Sequence, residues 1–244
     1  MPAVTENLSR HPSIAPRQRL IVALDVPGAD AARALVRELG DAVEFYKIGL
    51  ELMAAGCYFE LLDWLLASGK RVFADLKLYD IPATVAAAVR QLAGRGASFV
   101  TIHGDRAIIE AADSEKGPLG ILAVTVLTSI GREDLRDMGI AMEVESLVLQ
   151  RARVAVAAGA DGLIASGLEA AALRAELGVG SRIVTPGVRP AGSDPVHDQK
   201  RVVTPTRALS SGADYIVMGR PIRNAPSPRQ AAEAVQAEIA AALE

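Results

Sequence analysis

The sequence predicts one closed (β/α)8 barrel, and three observations predict it. Short apolar runs rich in Val, Ile and Leu recur along the chain. Ala-rich stretches with apolar residues at helical spacing fill most of the gaps between them. No linker or break in composition divides the series. Eight such units in a chain of 244 residues favour a closed barrel over an open doubly wound sheet.

The elements follow in order. Leu20–Val26 reads as a strand and Ala31–Leu39 as a helix, then Glu44–Gly49 as a strand and Phe59–Ala67 as a helix. Arg71–Leu78 and Ala83–Ala93 form the third pair, and Phe99–His103 with the weaker helix Ala107–Ala112 the fourth. Ile121–Thr128 and Val144–Ala158 come next, then Gly162–Ala165 and Ala170–Leu177. Ile183–Thr185 precedes the second weak helix, Thr206–Ser211, and Tyr215–Met218 precedes Gln230–Leu243. Between the seventh strand and its helix, Arg189–Lys200 is polar and rich in turn formers, a long loop of the kind that carries function. Residues 1–18 mix Pro, Ser, Glu and Arg and are expected to be a poorly ordered arm, leaving 19–244 for the barrel.

Composition narrows the function classes. Half of the residues are hydrophobic but only 4% are aromatic, a mix suited to helices packed on a buried parallel sheet. A net charge of −3 lacks the basic footprint of general nucleic-acid binding. The single cysteine, Cys57, permits no intramolecular disulfide. The three histidines, His11, His103 and His197, are too dispersed for a metal set, so no metal site is expected. No apolar run is long enough to span a bilayer and no apolar leader begins the chain, so a cytoplasmic residence is expected.

Active sites of such barrels lie at the carboxyl ends of the strands. Nearly every predicted strand delivers polar groups there: Asp25, Lys47, the trio Asp75, Lys77 and Asp80, His103, Thr128 and Ser129, Gly187 and Arg189, Gly219 and Arg220. Asp75 and Lys77 are two apart and share one strand face, while Ala74, Leu76 and Leu78 take the other. Charges aimed into a barrel are costly unless paired. Asp25 and Lys47 on neighbouring strands would extend the pair into an alternating Asp–Lys array. Such an array could serve barrel geometry alone, but the strand-end position favours function.

The last two strands carry a phosphate signal. Thr185-Pro186-Gly187-Val188-Arg189 and Met218-Gly219-Arg220-Pro221 each place Gly shortly before Arg. Gly admits an anion to backbone N–H groups, and Arg offers a bidentate fork. Each half alone reads equally as a turn. Their location, after strands seven and eight, is the usual phosphate cradle of these barrels.

With these residues in view, the chain resembles the orotidine 5′-phosphate decarboxylase family. The likeness rests on Phe73-Ala74-Asp75-Leu76-Lys77-Leu78-Tyr79-Asp80-Ile81-Pro82-Ala83-Thr84 and extends over nearly the whole chain from Arg19. It includes Ala23-Leu24-Asp25, Tyr46-Lys47-Ile48-Gly49, Thr125-Val126-Leu127-Thr128-Ser129, Thr185-Pro186-Gly187-Val188-Arg189-Pro190 and Gly219-Arg220-Pro221. The Asp-x-Lys-x-x-Asp core is shared with related phosphosugar enzymes. The Ile81-Pro82 extension and the Thr-Pro-Gly-x-Arg-Pro run are more specific. The resemblance implies conversion of orotidine 5′-phosphate to UMP and carbon dioxide, without metal, flavin or other cofactor. It implies Lys77 as proton donor to C6, in a charged array with Lys47, Asp75 and Asp80. It further implies that Asp25, Lys47 and Thr84 meet the ribose, and that Thr128 and Ser129 meet the pyrimidine. Arg189, Gln199, Gly219 and Arg220 would hold the phosphate. Asp80, Ile81 and Thr84 would come from a second subunit of a homodimer. The chain departs from the pattern after Thr101-Ile102-His103, where Gly104-Asp105-Arg106-Ala107 replaces a small, Gly-rich turn, so His103 is left out of the expected site.

Two other readings stay open on sequence. One is a barrel that decarboxylates or condenses a phosphosugar with magnesium held by the acidic residues. The other is a non-catalytic nucleotide- or phosphate-binding barrel with a structural Asp–Lys array.

Overall fold

The strands are mostly apolar on both faces because they are covered on both: helices pack outside and the other strands face them inside. The structure, a computed structural model, describes residues 14–103, 105–190 and 202–243. Eight parallel strands close in chain order, with β8 returning to pair with β1. They are β1 (Leu20–Ala23), β2 (Phe45–Gly49), β3 (Arg71–Leu78), β4 (Phe99–Ile102), β5 (Gly120–Val124), β6 (Gly162–Ile164), β7 (Arg182–Thr185) and β8 (Tyr215–Met218). The helices are α1 (Ala29–Leu39), α2 (Leu50–Ala54), α3 (Tyr58–Ala67), α4 (Pro82–Arg95), α5 (Arg106–Asp113), α6 (Arg132–Asp137), α7 (Val144–Ala157), α8 (Ala170–Leu177), α9 (Pro205–Ser210), α10 (Arg220–Arg223) and α11 (Pro228–Ala241).

Strand alternation sorts the core into two sets. Ile21, Phe45, Phe73, Phe99, Leu122, Tyr215 and Val217 fill the barrel interior. Val22, Tyr46, Ile48, Val100 and Ile102 face the helices, where Leu35 and Leu39 of α1 and Val85, Val89 and Leu92 of α4 meet them. The spacing of three, four and seven residues along those helices is that of one buried stripe. Pro82 opens α4 without losing a needed N–H, and Gly96 ends it at φ +89°.

Several boundaries differ from expectation. Within the arm expected through Gln18, the Ile14 side chain is buried with the interior set and Pro16–Gln18 form a 3-10 turn. β1 stops at Ala23 and β5 at Val124, so Asp25 and Thr128 stand on the loops that follow rather than in strands. The paired register of β5 and β6 ends at Val124 opposite Ile164, and Thr125 just beyond it still donates to the Ile164 carbonyl through its N–H at 3.3 Å and its hydroxyl at 2.9 Å. The short helices α2, α6 and α10 span 5, 6 and 4 residues, too few for an apolar period to be read. Most of the long loop after β7, Gly104 and residues 1–13 lie outside the described residues. The ends of that loop meet: Val188 bridges Val203, and the Arg189 N–H donates to the Val203 carbonyl at 3.0 Å.

Candidate active site

The expected charge array is present. Lys47, inward on β2, donates to Asp25 Oδ1 at 2.8 Å and lies 3.4 Å from Asp75 Oδ2. Lys77 donates to Asp75 Oδ1 at 2.7 Å. The result is an alternating row, Asp25–Lys47–Asp75–Lys77. The two inner members, Lys47 and Asp75, are the more sequestered, with side chains 10% and 13% exposed against 46% for Asp25 and 31% for Lys77. Burial by itself would lower the Lys47 pKa; the carboxylates of Asp75 and Asp25 outweigh it and hold Lys47 above its ordinary value. Burial would likewise raise Asp75. Lys47 and Lys77, helped by hydrogen bonds from Lys77 and Thr101, hold it below the usual carboxylate range. Gly49, the next inward position on β2, leaves room for this row. A Cβ there would stand 3.2 Å from Lys47 Nζ and 3.4 Å from the Asp75 carbonyl oxygen.

Simple strand alternation does not deliver Lys77. Between Ala74 opposite Val100 and Leu78 opposite Ile102, β3 advances four residues while β4 advances two. Lys77 sits in this irregularity at φ +48°, the one non-glycine residue with positive φ among the described residues. A left-handed conformation costs a residue with a Cβ about 1–2 kcal/mol. Its N–H donates to a side chain, Thr101 Oγ1 at 2.9 Å. Leu76 and Leu78 still pack against the outer core, as expected.

The array borders a cavity of about 450 Å³, a size suited to a nucleotide-sized ligand. Asp25, Lys47, Asp75, Lys77, Thr128, Arg189, Gly219 and Arg220 all line it, eight of the positions expected from sequence. Gly187, at φ +75°, turns the chain between β7 and Arg189. Gly219 directly precedes α10, so Arg220 enters from a helix start. Arg189 is 8% exposed, and among the described residues its Nε has no hydrogen-bond partner. Buried guanidinium N–H groups in a cavity wall are placed to meet an anion.

Other expected residues stand elsewhere. Asp80, Ile81 and Thr84 do not line this cavity. Asp80 Oδ1 accepts from the Ile81 N–H at 2.6 Å, and Ile81 is 65% exposed. Ser129, expected beside Thr128, is exposed on the irregular segment after β5 and is not part of the cavity wall. Gln199 lies outside the described residues. His103 lines a separate groove with Tyr79 and Arg151. Burial first, then the charges of Lys77 and Arg151, hold its imidazole below its ordinary pKa.

Sequence reading missed the apolar wall of the cavity, made by Phe73, Val126, Leu127, Ile164 and Val217, and a third arginine, Arg223. Alternation along β8 could have found Val217. Arg223 follows from the turn of α10, which carried no periodic signal. Thr101 was also passed over, although a polar residue at an inward position of a buried strand was its visible mark.

Fold and site together define a (β/α)8-barrel enzyme with a charged reaction centre on its carboxyl rim. Residues 18–235 match the sequence profile of the Orotidine 5′-phosphate decarboxylase / HUMPS family, and the chain belongs to that family. Orotidine 5′-phosphate decarboxylase of Methylococcus capsulatus is 56% identical over 221 residues, covering 91% of each chain. The enzyme of the same name from Xanthomonas oryzae pv. oryzae is 53% identical over 240 residues, 97% of this chain and 98% of that one. The crystal structure of orotidine 5′-phosphate decarboxylase from Lactobacillus acidophilus superposes with a TM-score of 0.79 at 35% identity, over 90% of this chain and 98% of that one.

Proposed function

We propose that this chain converts orotidine 5′-phosphate to UMP and carbon dioxide, the last step of de novo UMP synthesis, with Lys77 as proton donor and no metal or organic cofactor. The observation that carries the reading is the Asp25–Lys47–Asp75–Lys77 row on the wall of a cavity that Arg189 and Arg220 also line. In the reaction the bond from C6 to the carboxylate carbon breaks and its electron pair stays on C6. Carbon dioxide leaves, and an Nζ proton of Lys77 forms the new C6–H bond. Solvent then restores the Lys77 proton. A fixed ammonium beside C6 stabilises the growing charge without reorganising at the moment of reaction. Asp75 keeps that ammonium aimed through the 2.7 Å hydrogen bond.

The remaining contacts follow the family resemblance. Asp25 and Lys47 hold the ribose hydroxyls; Thr128 and Ser129 meet the pyrimidine; Arg189, Gln199, Gly219 and Arg220 hold the phosphate. Phosphate binding energy, gathered away from C6, is available to orient the pyrimidine against Lys77. Asp80, Ile81 and Thr84 act in the site of a second copy, which accounts for their exposure outside their own cavity. The working unit is thus a cytoplasmic homodimer.

The test is the loss of pyrimidine-band absorbance on adding orotidine 5′-phosphate, with and without chelator. Equal rates in both are expected, and a folded Lys77→Ala protein is expected to show no turnover. Loss of turnover to chelator would move the assignment to a metal-dependent phosphosugar barrel. Tight UMP binding without turnover would leave a binding protein, and near-normal turnover by Lys77→Ala would sink the role of Lys77.

A further inference from the structure

We infer that Thr101 is a positioning residue for the decarboxylation, holding Asp75 and the left-handed backbone of Lys77 in one arrangement through a single hydroxyl. The inference rests on the proposed roles of Lys77 and Asp75. Thr101 lies inward on β4, directly above Phe99, and is fully buried. Its Oγ1 accepts from the Lys77 N–H at 2.9 Å and lies 2.9 Å from Asp75 Oδ1. A hydroxyl has one proton to give. The Lys77 amide must donate, so the hydroxyl proton goes to Asp75. Oδ1 of Asp75 therefore receives both the Thr101 hydroxyl and the Lys77 ammonium, while Oδ2 faces Lys47 at 3.4 Å.

This contact replaces what the irregular stretch of β3 has lost. With four residues of β3 set against two of β4, the Lys77 amide leaves the strand ladder, and the threonine hydroxyl is its partner. The same hydroxyl stops the Asp75 carboxylate from rotating away from Lys77. Nothing on Thr101 lines the cavity, so its effect on substrate runs through its neighbours. Valine has the shape of threonine without the hydroxyl, and serine keeps the hydroxyl without the methyl.

Thr101→Val is expected to fold, to lower kcat by about 10- to 100-fold, and to change KM by less than about threefold, the loss being that of a hydrogen bond to a charged group. Thr101→Ser is expected to keep kcat within about threefold of the parent. A purely packing role predicts the reverse order, with valine tolerated and serine impaired. The measurement is kcat and KM for both variants beside Lys77→Ala. Parent-like kcat in Thr101→Val, with Lys77→Ala inactive, overturns this inference and leaves the proposed function standing. Turnover by Lys77→Ala removes the proposed role of Lys77, and this inference with it. If Thr101→Val does not fold, Thr101→Ser decides against Thr101→Ala: activity in serine only supports the role, and loss in serine overturns it.

Discussion

Asp75 has both carboxylate oxygens engaged by ammonium groups, so removing its charge leaves two lysines facing one another in a partly buried site. Taking one partner from such a row costs more than the pair contributed. The pH dependence follows from the direction of its shift. A carboxyl held below its unfolded pKa contributes stability that is present above the ordinary carboxylate range and is lost as pH falls through the folded value. Asp75→Asn is therefore expected to be less stable than the parent at neutral pH, and the gap is expected to narrow below about pH 4. Urea unfolding at several pH values checks this; a gap that widens on acidification would contradict the pairing. The residue types and spacing of the row were legible in the sequence. The left-handed turn at Lys77 and its tie to Thr101 were not, because both depend on a register shift between strands that periodicity does not encode.

At the scale of elements, the barrel closes because some strand positions carry no side chain. On β6, a Cβ at Gly162 would stand 2.5 Å from the Arg182 carbonyl oxygen and 2.8 Å from Arg182 Cβ on neighbouring β7. Backbone cannot move aside as a flexible side chain can. Gly162→Ala is expected to cost about 1–3 kcal/mol of stability, the usual range for overpacking a core. Chemical denaturation measures the loss. A change below about 0.5 kcal/mol would mean that the β6–β7 contact yields more than its geometry implies. Strand and helix identities were readable because long amphipathic segments keep a period. Ends of elements were less so: β1 and β5 run on in sequence as apolar residues after their ladders stop, which placed Asp25 and Thr128 inside strands. Short helices such as α10 are set by the turn after β8, not by a pattern of their own.

For the whole molecule, the decisive feature is that one chain does not gather its entire expected site. Asp80, Ile81 and Thr84 follow β3 closely, yet they are exposed and do not line the cavity that Asp75 and Lys77 line. If the site is shared between two copies as proposed, a Lys77→Ala protein and an Asp80→Ala protein, each inactive alone, are expected to recover activity on mixing. A hybrid dimer holds one site with both defects and one with neither, so random exchange of equal amounts restores about a quarter of the parent sites. Recovery is read in the ultraviolet assay, with exchange followed by mass spectrometry of the mixed dimers. Exchange without recovery would place each site within a single chain.

The sequence by itself determined the eight-unit barrel, the rim on which chemistry sits, and most of the charged and arginine positions that line the cavity. It could do so because strand order, helical period and the location of the carboxyl rim are repetitive features of the chain. Only the tertiary structure decided how those groups meet: the Asp–Lys row, the strained backbone under Lys77, the hydroxyl of Thr101 between them, and the outward placement of Asp80 and Ile81. These are settled by register and packing between segments remote in sequence, where a shift of one residue changes every partner.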